Sequence, residues 1–503
     1  MRGLRPRPDG PALRLVGGDE AASPGSGAGG RLAALFTRHP GPTDLEAACR
    51  RDGARLTALA VSLTCFGTVM VLFASPVSSI AVYGSPFSLF EHQLLWVVLG
   101  LVAYAVARRI PMRRVRQLAR PALVVAVVLL LAVLVPHLGK VAGGSSRWIG
   151  AGPFRLQPSE LSKLAFAMFC ADLVARRRHA RDQLREVIRP LAIVLVFACV
   201  LILKQPDLGT AIVVVCVALG VLYVGGIERR LLAGFAAVLA VGGTVLALSA
   251  SYRRARLLSF VNPFGHATTT GYQVVQSLVS LGSGHLTGVH ATAAIAPWFL
   301  PNADTDFIFA VIGNDFGLIG GIAVVAAFVA FGLLVVRIAM RTSDPFARLL
   351  VSAIACWIVL QAIINIGGVI GALPETGIPL PFLSYGGSSL IVVLFATGLV
   401  VNVARAPRQS TEAARPARPA RTAHPARPVA TTHPARAATG RPVRPTRPAP
   451  PSRRAATGAR PSTAAGNGSG GTGAGGAVHP SRRPVAAGSG PIGRARRAGA
   501  GGR

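Results

Sequence analysis

Lysine is nearly missing from this 503-residue sequence: of 53 basic residues only Lys140, Lys163 and Lys204 are lysine, and the other 50 are arginine. Acids are scarce too, 19 in all, so the formal net charge is +34. On a folded domain such a surplus would suggest nucleic acid. Here it falls in short connections between apolar runs and in a terminal stretch, which argues against a nucleic-acid partner. Together with abundant Ala, Gly and Pro, the arginine excess matches the codon bias of a GC-rich genome, so most arginines carry no phosphate-binding message. The three lysines stand out against that background. Cysteine is sparse and unclustered, and Cys65, Cys170, Cys199, Cys216 and Cys356 lie inside apolar runs, where a thiol behaves as a small hydrophobe. No disulfide or zinc framework is implied.

What the chain has in plenty is hydrophobic sequence: 51% of its residues, with a mean hydropathy of +0.51. That composition points to an all-α polytopic membrane protein rather than a string of soluble domains. A membrane helix needs about 20 mostly apolar residues. Ten candidates follow: 56–76, 91–108, 119–137, 158–175, 188–204, 208–226, 230–250, 306–337, 347–371 and 383–404. The first is not a cleaved leader, since a long polar segment precedes it and no small-residue cleavage site follows. Residues 1–55 read as a disordered, Gly/Pro/Arg-rich segment, and residues 406–503 as a disordered tail of Arg/Pro/Ala/Gly repeats in which Glu412 is the one acid. The tail is either solvated, drifting composition or a polybasic segment held near anionic lipid or an acidic partner.

Arginine also sets the orientation. "RRIPMRRVRQLAR", "RRRHARDQLREVIR", "IERR" and "RIAMRTSDPFAR" follow the second, fourth, sixth and eighth candidates. The positive-inside rule makes these connections, and both termini, cytoplasmic. The basic "SYRRARLLSF", at the start of a long outer connection over about 251–305, conflicts with that assignment. All the unusual polar motifs then fall on the outer face: "GGSSRWIGAGPFRLQPSELSK", "KQPDLGT", "GYQVVQSLVSLGSG", "LPNADTDF" and "LPETGIPLPFLSYGGSSL". A site at the outer mouths of the helices is implied, away from ATP and cytosolic cofactors.

Within these motifs each polar residue has a structural and a functional reading. Asp306 or Thr305 could cap the helix that follows; alternatively Asp306 is a carboxylate whose pKa desolvation lifts into the range of a useful base. Asp315, nine residues on, is half a turn out of phase and about 13 Å deeper on a regular helix, so it faces a neighbouring helix instead. Glu160 and Lys163, at i and i+3, can pair. Buried, such a pair is costly, which leaves a site-organising role beside that of a structural bridge. Ser159 and Asp207 each follow a proline and could cap helices. "LSYGGSSL" could cradle a phosphate or pack closely through its glycines.

Taken together and in this order, the motifs "RWI…G…QPSELSK", "QPDLGT", "GYQVVQSLVSLGSG", "LPNADTDFIFAVIG" and "TGIPLPFLSYGGSSL" resemble those of the SEDS family (shape, elongation, division and sporulation), whose members include FtsW and RodA. The likeness covers residues 56–405, and the wording around "PETGIPLPFLSYGGSSL" with the Arg-rich extension looks most like the FtsW branch of high-GC actinobacteria. The resemblance implies a ten-helix peptidoglycan glycosyltransferase in the cytoplasmic membrane at the division septum. It would polymerise lipid II on the outer face beside a class B penicillin-binding protein and other divisome or elongasome proteins. It also implies that Asp306, the Asp of the TDF motif, is the essential carboxylate. Arg147, Lys163 and optionally a divalent cation, magnesium or manganese, would meet the charge of the leaving pyrophosphate. Trp148, Gln157, Glu160, Gln205, Asp207, Tyr272, Gln273, Gln276, Ser277, Thr305, Ser384, Tyr385, Ser388 and Ser389 would bind substrate or organise the site. The chain departs from the family's wording at Asn302, at Asn314 with Asp315, and at His285 with the stretch after it. A lipid II flippase and a catalytically weak division scaffold are the competing expectations.

Overall fold

The computed structural model describes residues 42–136, 139–142, 145–151, 154–249, 251–289 and 300–406. The expected tail beyond residue 406 lies outside them, as do residues 1–41. The described chain is helical except for one small sheet. Its helices are α1 (Pro42–Ala74), α2 (Pro76–Tyr83), α3 (Ser88–Ala107), α4 (Met112–Leu134), α5 (Pro158–Arg176), α6 (Arg189–Lys204), α7 (Leu208–Val224), α8 (Arg229–Ser249), α9 (Ser251–Val261), α10 (Tyr272–Ser283), α11 (Ile308–Met340), α12 (Pro345–Val369) and α13 (Gly387–Arg405). Strands β1 (Lys140–Ala142), β2 (Ser145–Ala151) and β3 (Phe154–Leu156) form an antiparallel sheet in sequence order, with Lys140 opposite Trp148 and Ile149 opposite Leu156.

Eight of the described helices are long and apolar enough to cross a membrane, α6 being counted together with the π-helical turn Leu184–Ile188 that leads into it. Two of the ten expected spans fall short of that standard for identifiable reasons. Helix α5 carries Glu160, Lys163, Asp172 and Arg176, and α7 has only 17 residues. Helix α1 begins at Pro42, so residues 42–55, expected to be disordered, form its first turns, where Asp52 and Arg341 make an ion pair. The basic "SYRRARLLSF" stretch is itself a helix, α9.

Helix starts follow local chemistry. Proline occupies the first turn of α5 and α12, where its missing N–H costs nothing. Asp207 caps α7 by accepting from the Thr210 N–H at 3.1 Å, and Asp344 caps α12 through Ala347 at 2.9 Å. The core runs through α5, α7, α11, α12 and α13, with Trp357, Phe331 and Phe382 fully buried. Helix α8 stands apart, with none of its apolar window buried.

Helix α11 is not the regular helix that its composition suggests. It breaks at Gly317, whose φ of 64° and ψ of −161° suit only glycine. Segment 285–289 supplies partners for the freed backbone. Leu318 N–H donates to the His285 carbonyl at 3.0 Å, Ile319 N–H to Leu286 at 3.2 Å, and Val289 N–H to Asn314 at 2.8 Å. The departure at His285 therefore sits where the connection before α11 plugs a broken helix. Irregular backbone inside an apolar helix survives only when protein satisfies it.

Candidate active site

At one end of the bundle the starts of α5, α11 and α13 and the end of α12 surround a cavity of about 840 Å³. Helix α9 and the sheet close it from the side, through Arg256 and through Arg147 and Trp148. Arg147 is fixed from behind: its Nε donates to the Gln205 carbonyl at 2.9 Å, and its Nη2 donates to the Pro206 carbonyl. Its charge thus reaches the cavity on a rigid mount.

Asp306 lines this cavity on the turn before α11. That turn is held on several sides. Thr305 and Phe307 N–H groups donate to the Asn302 carbonyl at 3.1 and 3.2 Å, Ser384 Oγ to the Thr305 carbonyl at 2.5 Å, and Tyr385 N–H to the Asp304 carbonyl at 2.8 Å. Asn365 Nδ2 donates to Asp306's own carbonyl at 2.8 Å. The capping explanation for Asp306 and Thr305 falls away, because the residue at the cap position is Phe307 and no side chain caps α11. Burial pushes the Asp306 carboxyl up to about 7; the Arg147 charge opposes this, Glu375 and Asp304 add to it, and Arg256 opposes it. Gly377, at a φ of +68°, brings backbone so close that a β-carbon there would stand 3.5 Å from Asp306 Oδ2.

The structure brings Arg147, Trp148, Gln157, Gln273, Thr305, Asp306, Tyr385 and Ser389 to the cavity wall. It places the other sequence-predicted residues behind that wall. Lys163 is wholly buried, bonded to Glu160 Oε1 and Gln361 Oε1 at 2.7 Å each and poised over the Trp357 ring, so it does not reach a leaving group in the cavity. Glu160 is equally buried and accepts from Ser389 Oγ at 3.0 Å. Gln205 donates to the Leu130 carbonyl at 3.0 Å. Asp207 is a helix cap, and it also accepts from Ser159 Oγ at 2.9 Å; Ser159 caps nothing. Ser277 donates to the Val369 carbonyl at 2.9 Å, packing α10 on α12. Neither Tyr272 nor Gln276 lines the cavity.

The serines of "LSYGGSSL" are spent on protein. Ser388 accepts from the Gln157 N–H at 3.0 Å, Ser384 and Ser389 are engaged as above, and Gly387 lies so close to Trp96 that a β-carbon would overlap its ring. Close packing accounts for the serine side chains and for Gly387, while Tyr385, Gly386, Gly387 and Ser389 also line the cavity.

Sequence reasoning missed several residues of the site. Glu375 lines the cavity with its Oε1 3.9 Å from Arg256 Nε, and burial raises its carboxyl while Arg256 lowers it. Asp304 accepts from Ser78 Oγ at 3.3 Å, and its carboxyl is raised by burial. Asn365 bridges the Asp306 and Ile378 carbonyls, while Gln361 ties Lys163, Trp357 and the Pro379 carbonyl together. Glu375 was visible as a charge in a connection and Arg256 as part of the basic "SYRRARLLSF" stretch, but only the fold sets them face to face.

The residues present do not fit a resident divalent cation. Among the described residues no group of three or more His, Cys, Asp or Glu could hold a metal, and the groups that face Asp306 include two guanidiniums.

Comparison with known proteins places this geometry. Residues 54–409 match the family model of the FtsW/RodA/SpoVE cell cycle proteins. The probable peptidoglycan glycosyltransferase FtsW of Mycobacterium tuberculosis is 40% identical over 361 residues, covering 72% of this chain and 69% of that protein. The FtsW of Geobacter metallireducens is 39% identical, covering 69% of this chain and 92% of its own. Among solved structures, a chain of a peptidoglycan synthase complex that coordinates polymerization and crosslinking superposes with a TM-score of 0.59 at 28% identity, over 70% of this chain and 98% of that one. The rod shape determining protein RodA of Thermus thermophilus superposes with a TM-score of 0.53 at 28% identity, over 70% and 97%. With a family match across more than two thirds of its length and the helical architecture shared, the chain belongs to the FtsW/RodA family of cell cycle proteins.

Proposed function

We propose that the chain is a peptidoglycan glycosyltransferase of the FtsW type that polymerises lipid II, with Asp306 as its general base. The observation that carries this reading is a carboxyl lifted to about 7 by burial, inside a cavity of about 840 Å³ that three arginines, Arg147, Arg155 and Arg256, also line. A base serves best when its pKa lies near the working pH. Asp306 accepts the proton of a sugar 4-hydroxyl as that oxygen attacks the anomeric carbon of a second lipid-linked sugar. The bond from that carbon to the pyrophosphate oxygen breaks, and its electron pair leaves with the lipid pyrophosphate. Arg147, held rigid by two carbonyls, and Arg256, which also lines the cavity, meet the negative charge that develops there. Glu160, Lys163, Gln361 and Ser389 keep the wall in register from behind. The volume suits a ligand of disaccharide size, within the usual range of about 300–1,000 Å³.

In the cell this reading sets the chain in the cytoplasmic membrane at the septum, both termini inside and the cavity facing out. A class B penicillin-binding protein would cross-link the strands, and the solved synthase complex supports such a pairing. The membrane unit then spans residues 56–405, between a cytoplasmic leading segment and an Arg-rich cytoplasmic tail. A lipid II flippase would need mobile charges along a through-path, whereas the carboxylates at the far end, Asp172 and Asp52, are held by arginines.

The test is glycan-strand formation from lipid II by the purified full chain with its class B partner, the transpeptidase silenced by a β-lactam. Wild type makes strands, and Asp306→Asn, equally folded and partner-bound, does not. Strands from both would remove Asp306 from catalysis. Strands from neither would move the chain to the scaffold role.

A further inference from the structure

At the end of the bundle away from the cavity, a second charged cluster is built on one carboxylate. Asp172, 2% exposed near the end of α5, receives Arg116 Nε at 2.9 Å and Arg176 Nε at 2.8 Å, and Arg120 Nε stands 3.8 Å away. One carboxylate offsets one guanidinium, so two positive charges are left over. The hydrogen bonds from Arg116 and Arg176 use Nε alone, and the Arg116 guanidinium lies over the Phe346 ring at 5.7 Å. The Arg116, Arg120 and Arg176 side chains stay 37%, 67% and 48% exposed. The other buried acid of that end does not relieve it: Asp52 holds Arg341 and Arg55.

The depth of the cluster selects its ligand. The apolar part of α4, residues 121–134, is about 21 Å long at 1.5 Å per residue. A hydrocarbon core is about 30 Å thick. Reckoned from Leu134, a core of about 30 Å ends about 20 residues back, near Arg114, so Arg113 and Arg114 stand at the boundary and Arg116 and Arg120, within about two turns of it, reach it by extending their side chains. Arg120 is 67% exposed and shares its stripe with exposed Val124 and Val128, a face that lipid covers. A guanidinium on such a face needs an anion at the interface. An ion pair that merely staples α4 to α5 would need Arg116 alone, not three arginines.

We propose that Arg116, Arg120 and Arg176, organised by Asp172, bind the phosphate of an anionic phospholipid headgroup. The site is independent of the glycosyl-transfer cavity: α5 starts at the cavity with Pro158, and Asp172 lies 14 residues further along it, about 21 Å away.

The experiment compares lipid retention by full-length wild type, Arg120→Gln and Arg120→Gln/Arg176→Gln, reconstituted in nanodiscs of phosphatidylcholine with a minor fraction of phosphatidylglycerol and read by native mass spectrometry. Wild type is expected to keep phosphatidylglycerol in preference, and each lost arginine to cut that preference by about fivefold. Arg120 is largely exposed, so its variant keeps the wild-type melting temperature in neutral detergent. That control separates lost binding from lost folding. Equal retention by all three proteins would overturn the proposal. So would displacement of the lipid by millimolar inorganic phosphate, which would make this a site for free phosphate instead.

Discussion

Two buried charge centres sit within one wall's thickness of each other and are treated in opposite ways. Glu160 and Lys163 are saturated: every charged atom has a partner at 2.7–3.0 Å, from Gln361, Ser389 or the pair itself. Asp306 meets Arg147 and Arg256 only through their fields, with Glu375 and Asp304 of like charge nearby, and its carboxyl rises to about 7. The same residue types thus serve two ends. A saturated pair fixes geometry and offers no chemistry, whereas a carboxylate short of partners keeps an appetite for a proton. Low effective dielectric makes both arrangements consequential, since each missing or added partner counts for more there than in water.

The sharpest way to break this contrast is to treat both centres alike. Asp306→Asn should lower strand formation by about 10²- to 10⁴-fold, the usual worth of a positioned base, without lowering the melting temperature. Lys163→Met should do the reverse. It strands a buried Glu160, at a cost of about 3–5 kcal/mol, and should show first as lost thermal stability in detergent. The double variant Glu160→Gln/Lys163→Met should recover part of that stability. If Lys163→Met stayed fully stable and lost only activity, the saturated pair would be touching substrate after all.

A subtler test moves Asp306 along the pH axis. With a carboxyl near 7, strand formation should climb with pH through about 7 as the base ionises. Glu375→Gln removes a like charge and should shift that climb to lower pH; Arg147→Gln removes an opposite charge and should shift it higher. Stability has the opposite sense. A raised carboxyl contributes stability that is present below its unfolded pKa and lost as pH rises through the folded one. Asp306→Asn should therefore gain on wild type above pH 7 and lose that advantage in acid. A climb indifferent to both neighbours would assign it to another group.

How much of this was legible in the sequence varies with the reach of the interaction. Apolar runs located the helices because membrane burial is a local demand, and Asp306 stood out as a carboxylate where burial is costly. The break at Gly317 was not legible. Its freed carbonyls and N–H groups are satisfied by segment 285–289, and no periodicity reports a partner from a separate connection. Lys163 was misread for the same reason: spacing gave its bond to Glu160, but Gln361, 198 residues away, is what locks it out of the cavity. Glu375 escaped notice because a lone charge in a connection reads as ordinary, and Arg256, inside the basic "SYRRARLLSF" stretch, gained its partner only when the fold set the two face to face.

The smallest expected effect bears on how the open centre is kept open. Gly377 occupies a left-handed conformation, and a β-carbon there would meet Asp306 Oδ2 at 3.5 Å, in ordinary contact. Gly377→Ala adds about 1–2 kcal/mol of backbone strain and sets a methyl group against the carboxylate. The methyl group covers one more side of the Asp306 carboxylate, so the climb in strand formation should move above pH 7, while the melting temperature falls by a few degrees. Because the methyl group adds no charge, a shift of the climb in this variant isolates solvation from the electrostatic neighbours. No shift would mean that Glu375, Asp304 and the two arginines alone set the base's proton affinity.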